Sequence, residues 1–245
     1  MTLFYSDNVP AQPLIAKHQI LGAQAGAYLA TAGEGLVPKR AIDATAQYYR
    51  HKVSATDGRR RINDVTQDVR ERLARLLGAG SADIGLLSNT SHALTAVFRL
   101  INWREDDNIV LLTNELEFPS LVLPPVKLVR DRGVEMRVVD HDNWEVTPES
   151  IAAAVDERTR LVLLSHVSYR TGLRIDIERL SELLEGSGAW LVVDASQSLG
   201  MVPVPASACH FLVSTSCKWL MGPHGTGVLY WNRDRLPDIV PEDIG

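Results

Sequence analysis

Seven short, mostly apolar runs recur from residue 84 onward: Ile84–Leu87, Ile109–Leu112, Val134–Val139, Leu161–Leu164, Trp190–Val193, Phe211–Val213 and Val228–Trp231. A strand with one wet face alternates apolar and polar side chains, whereas a continuous apolar run suits a strand covered on both faces. Helical patterns separate most of the runs, at Ala93–Leu100, Val122–Arg132, Pro148–Val155 and Ile177–Leu184. Strands joined through helices need crossover connections, which make neighbours parallel. The expected fold is therefore α/β, a mostly parallel sheet flanked by helices. Gly222–Gly227 is too short for a crossover, so Val228–Trp231 is expected to run antiparallel to its predecessor. Pro124-Pro125 disturbs one helical pattern and leaves its start open.

Ahead of the runs, residues 1–80 read as an N-terminal helical segment, expected to form one structural unit with the α/β domain of residues 81–245. Ala41–Tyr49 is alanine-rich. Within Ile62–Leu77, the side chains Val65, Val69, Leu73 and Leu76-Leu77 fall on one face at helical spacing, and Gly78-Ala79-Gly80 stops the helix.

The 245 residues are 45% hydrophobic and 22% charged, a composition ordinary for a soluble protein with a sizeable core. A net charge of −5 disfavours nucleic acid as a partner. Arg59-Arg60-Arg61 reads as a solvated helix start or a single anion contact rather than a nucleic-acid stripe. Two cysteines, Cys209 and Cys217, cannot supply a disulfide framework, which points to a reducing, cytoplasmic setting. Met1–Asn8 lacks the basic region and apolar core of a signal peptide. No apolar stretch reaches the roughly 20 residues that cross a bilayer, so no membrane partner is expected. The seven histidines contain no ligand-spaced pair, and no metal is expected.

Ligands of open α/β sheets bind beyond the carboxyl ends of the strands, and polar clusters gather at those ends here. Ser88-Asn89-Thr90-Ser91-His92 stands between the first run and a helix. It offers either a phosphate-binding helix start or an ordinary N-cap made by Asn89, Thr90 or Ser91. Glu117-Phe118-Pro119-Ser120 follows the second run, and Phe118 could stack on a flat ring or belong to the core. Ser165–Gly172 carries Arg170, a carboxylate clamp or a surface arginine. Asp194 closes the Trp190–Val193 run as a partner for a ring nitrogen or as a turn acid; Gln197 could reach a ring oxygen or face solvent. Lys218 lies in Ser214-Thr215-Ser216-Cys217-Lys218-Trp219, ahead of Gly222, Gly225 and Gly227. Cys217 admits a sulfur-chemistry reading or that of a small residue filling a tight turn. A lysine among small hydroxyls, downstream of an acid that closes a buried strand, is what a pyridoxal phosphate (PLP) site needs. The amine forms a Schiff base, the acid pairs with the pyridinium nitrogen, and the hydroxyls bind phosphate. No Gly-x-Gly-x-x-Gly or Walker lysine follows the early runs, which disfavours a nucleotide-binding fold.

From Asn89 to about Trp231 the chain resembles class V aminotransferase-fold PLP enzymes, the group of cysteine desulfurases, kynureninases, isopenicillin N epimerase-like proteins and C–S lyases. The most specific matches are Asp194-Ala195-Ser196-Gln197 and Ser216–Gly227, with weaker likeness at Asp7-Asn8 and Ala32–Pro38. The resemblance implies a type I PLP-transferase large domain with Lys218 as the aldimine lysine and Asp194 as partner of the pyridine nitrogen. It places Gln197 near the phenolic oxygen, Thr90, Ser91 and Thr215 on the phosphate, and Phe118 on the ring face. It also implies a small-molecule amino-acid substrate and a homodimer. Two departures stand out. Cys217 occupies a position that is often histidine or tyrosine in the family. Members also continue into a smaller C-terminal domain carrying a substrate-binding arginine and, in desulfurases, a persulfide cysteine, so this chain is expected to be a large domain or a shortened relative. The absence of a late cysteine tilts the expectation towards a lyase or aminotransferase. The alternative is a truncated PLP-fold protein that binds cofactor or a partner without turnover.

Overall fold

The computed structural model describes residues 15–240, so the likeness at Asp7-Asn8 lies outside the described residues. All seven apolar runs are strands: β1 (Ile84–Leu87), β2 (Asn108–Leu112), β3 (Glu135–Val139), β4 (Thr159–Ser165), β5 (Trp190–Asp194), β6 (Phe211–Thr215) and β7 (Gly227–Trp231). They form one sheet in the order β1-β7-β6-β5-β4-β2-β3. From β3 to β6 every pairing is parallel. β7 runs antiparallel to both neighbours, β6 and β1, as the short Gly222–Gly227 connection requires.

Two-faced burial explains the continuous runs. Val110, Leu112, Val162, Leu164, Leu191 and Val193 pack on one side of the sheet, where Ile151 and Leu180 of α5 (Pro148–Ala152) and α6 (Ile177–Leu183) cover them. Ile109, Leu111, Leu161, Leu163, Val192 and Val213 pack on the other, under Ala93, Leu94 and Val97 of α3 (Thr90–Arg99). Each such side chain stabilises the fold by about 1.5–3 kcal/mol through removal from water. The run at Val134–Val139 is the exception. As the edge strand β3 it leaves Glu135 and Val138 exposed, and Arg137 turns instead to Asp156 at 2.8 Å.

α1 (Lys39–Val53) and α2 (Ala55–Leu77) precede the sheet. α2 meets it only through its last turns, where Leu73, Ala74 and Leu77 pack on Ile84, Val228 and Tyr230. Two members of its expected apolar face therefore stay outside, Val65 at 57% and Leu76 at 50% exposure. Gly78, at φ 66°, ends the helix. α4 (Pro119–Arg132) starts earlier than its pattern, at Pro119, and runs on through Pro124 and Pro125. Pro119 costs nothing in the first turn, where its missing N–H has no intrahelical partner.

Candidate active site

The carboxyl ends of β1, β2, β4, β5 and β6 converge on a cavity of about 240 Å³. Thr90, Ser91, Phe118, Asp194, Gln197, Thr215 and Lys218 all line it, together with Ser165, Tyr169, Cys217 and His224. A roomier hollow of about 680 Å³ beside α6 lacks such a convergence of hydroxyl, amine and buried carboxylate.

Asp194 is the last residue of β5 and almost fully buried. Its Oδ1 accepts the Ser196 N–H at 2.8 Å. Burial raises its pKa, opposed by the Ser196 bonds and by the positive charge of Lys218. A carboxyl in this position gains from any further cation donor brought into the cavity.

At the start of α3 the cap is Asn89, whose Oδ1 accepts the His92 N–H at 2.8 Å. That settles which residue caps the helix and leaves the Thr90 and Ser91 N–H groups without a protein acceptor among the described residues. A helix start with two free donors favours an anion. β7 abuts this turn so closely that a Cβ on Gly227 would lie 2.8 Å from the Asn89 carbonyl carbon.

Lys218 follows β6 and is half-buried, its Nζ 5.1 Å from the centroid of the Phe118 ring. Phe118 in turn meets Tyr169 edge-on at 5.4 Å. Gln197 has its amide largely engaged: Nε2 donates to the Ala32 carbonyl at 2.8 Å and Oε1 accepts from Trp219 Nε1 at 2.8 Å. The Gly35 N–H also donates to the Cys217 carbonyl at 2.8 Å, so the Ala32–Pro38 segment packs directly on the Lys218 turn. Arg170 is absent from the cavity lining, its guanidinium 5.3 Å above the Trp144 ring.

Two contributors were given no role of their own from the sequence, although each lies in a cluster that it singled out. Ser196 joins three elements: its N–H binds Asp194, its hydroxyl accepts the Thr215 N–H at 3.1 Å and lies 3.3 Å from Thr90 Oγ1. Glu117, beside Phe118, is buried and accepts both the N–H and the hydroxyl of Ser165. Burial lifts its pKa to about 7, with the Asp194 charge adding to the rise and the Ser165 bonds opposing it. The only hint was the cluster Glu117–Ser120 itself, at a strand end.

Fold and cavity together define an α/β protein with a candidate ligand site at the carboxyl edge of a mostly parallel sheet. The chain belongs to the aminotransferase class-V family, whose model matches residues 27–245. It is 34% identical over 227 residues to a probable cysteine desulfurase of Methanothermobacter thermautotrophicus, a match covering 89% of this chain and 56% of that protein. An apo cysteine desulfurase from Thermococcus onnurineus NA1 superposes with a TM-score of 0.82 at 25% identity, over 94% of this chain and 59% of the other. A lysine-to-alanine mutant of C-DES with glycine covalently linked to its PLP cofactor gives a TM-score of 0.86 at 23% identity, over 94% and 63% of the two chains. The chain thus spans little more than half the length of the curated relatives it matches.

Proposed function

We propose that the cavity binds pyridoxal 5'-phosphate and that the protein acts on a small amino acid, with cleavage of a C–S bond as the reaction class. The observation that carries this reading is Asp194, a buried carboxyl with Lys218 as its cationic neighbour, facing a cavity that ends at a helix start with two free N–H donors. The residues fit the cofactor: an acid for its ring nitrogen, an aromatic face at Phe118, hydroxyls and amide N–H groups for its phosphate, and an amine. The names of the relatives, cysteine desulfurases among them, support the reaction class.

Bound there, pyridoxal phosphate supplies an electron sink for a bond broken at the substrate's Cα or Cβ. Asp194, as an anion, would hold a proton on the ring nitrogen. Thr90, Ser91 and Thr215 would hold and orient the phosphate, and Phe118 would shield the ring from water. The remaining amide N–H of Gln197 would serve the ring's oxygen. Lys218 Nζ would hold the cofactor through its amine and would be the base that moves a proton at the substrate's Cα. A homodimer belongs to the same reading, because α1 buries none of its residues and exposes Ile42, Tyr49 and Val53.

Reconstitution of the purified protein with PLP tests the proposal. Wild type is expected to gain the visible band of protein-bound PLP, and borohydride followed by peptide mapping is expected to mark Lys218. Lys218→Ala should lose both. A wild type that stays colourless with excess PLP sinks the reading; a coloured protein unchanged by any amino acid supports binding without turnover.

A further inference from the structure

At the rim of the same cavity stand three potential metal donors that chain order keeps far apart. Glu34 Oε2 is 2.8 Å from His224 Nε2, although the two residues are 190 positions apart. The Cys217 Sγ completes the group, and the three ligand atoms lie within 4.8 Å of one another. Tetrahedral zinc held through bonds of roughly 2.0–2.3 Å spaces its donors roughly 3.3–3.6 Å apart. Side-chain adjustments of roughly 1 Å therefore bring the group to coordination distance.

The scaffold under the donors is already assembled. The Gly35 N–H on the Cys217 carbonyl pins the Glu34 turn against the Cys217 turn, and a Cβ on Gly35 would collide with the Lys218 carbonyl. Cys217 is buried, with its Sγ 3.3 Å from Thr215 Oγ1, whereas the side chains of Glu34 and His224 are exposed and free to adjust.

We propose that Glu34, Cys217 and His224 form a binding site for a zinc-class divalent cation at the cavity rim. A thiolate and an imidazole select such an ion over magnesium or calcium, which prefer all-oxygen sets. On binding, the Cys217 thiol proton passes to solvent, the His224 ring hydrogen shifts through solvent from Nε2 to Nδ1, and the Glu34–His224 hydrogen bond is exchanged for two metal bonds. Three protein donors leave a fourth position for water or for a ligand entering the cavity. Because Cys217 and His224 both line that cavity, the ion ties the Glu34 turn to the Lys218 turn and restricts entry. The site requires no particular occupant of the cavity, so it stands apart from the PLP reading.

Cobalt(II), a spectroscopic stand-in for zinc, tests the proposal on the purified protein. One equivalent is expected to give the visible bands of tetrahedral cobalt and a near-ultraviolet sulfur-to-cobalt band, both removed by added zinc. Cys217→Ser should abolish the sulfur band. Glu34→Gln and His224→Gln, at exposed positions that leave folding intact, should each weaken cobalt binding at least about tenfold. A weak octahedral spectrum with no sulfur band overturns the proposal, as do bands of unchanged strength and affinity in both the Glu34 and His224 variants.

Discussion

Glu117 holds Ser165 through both of its carboxyl oxygens, Oε1 taking the backbone N–H at 2.7 Å and Oε2 the hydroxyl at 2.5 Å. The pair ties the segment after β2 to the last residue of β4 and so fixes the backbone that presents Phe118. With its pKa raised to about 7 by burial, the folded protein keeps a proton that the unfolded chain gives up near 4.5. Wild type accordingly loses stability from this residue as pH rises from about 4.5 to about 7, by at most about 1.4 kcal/mol per pH unit. Glu117→Gln, which can keep both Ser165 bonds, should lack that slope. Urea unfolding of both proteins across this range should show the variant gaining on wild type as pH rises.

Histidine gives the opposite sign. His210 accepts the Leu191 N–H through Nδ1 at 2.9 Å, and burial, aided by Arg235, lowers its pKa to about 4. The unfolded chain takes up a proton near 6.5 that the folded one refuses, so this contribution is intact above 6.5 and lost as pH falls towards 4. His210→Asn is expected to flatten the acid side of the stability profile, measured by urea midpoints between pH 4 and 7.

Ser196→Ala keeps the backbone bond to Asp194 but removes the acceptor of the Thr215 N–H. The expected cost is about 1–3 kcal/mol, because a part-buried donor is left unpaired. Affinity for PLP should fall with it, since Thr90 and Thr215 lose their common anchor. Unfolding curves and a PLP titration measure the two effects separately.

Gly227→Ala sets a methyl group against the backbone of Asn89 at 2.8 Å, forcing β7 and the α3 start apart. Overpacking of this kind costs about 1–3 kcal/mol. A thermal scan should show a lower midpoint, and phosphate or PLP should bind more weakly.

The sheet was readable because its strands are buried on both faces, so apolarity ran unbroken through Ile109–Leu112 and Leu161–Leu164. At the edge, β3 kept its pattern without that reason, and α2 carried an apolar stripe longer than its contact with the sheet. The Lys218 and Asp194 neighbourhoods stood out because unusual side chains follow directly on apolar runs. Ser196 and Glu117 did not, because what they do depends on partners 106 and 48 residues away. A serine or glutamate at a strand end has many ordinary explanations until folding supplies its partner. The triad of Glu34, Cys217 and His224 was hidden for the same reason.

The reversed direction of β7 has a consequence for how the chain is made. Among the described residues β1 pairs with β7 alone, Leu87 opposite Gly227, so this strand finds its neighbour 140 residues after it leaves the ribosome. At about 5–20 residues per second that is a wait of roughly 7–30 s with both backbone edges open. The turn between β1 and α3 is completed only after the hairpin that carries Lys218 has closed, because Gly227 of β7 packs against Asn89.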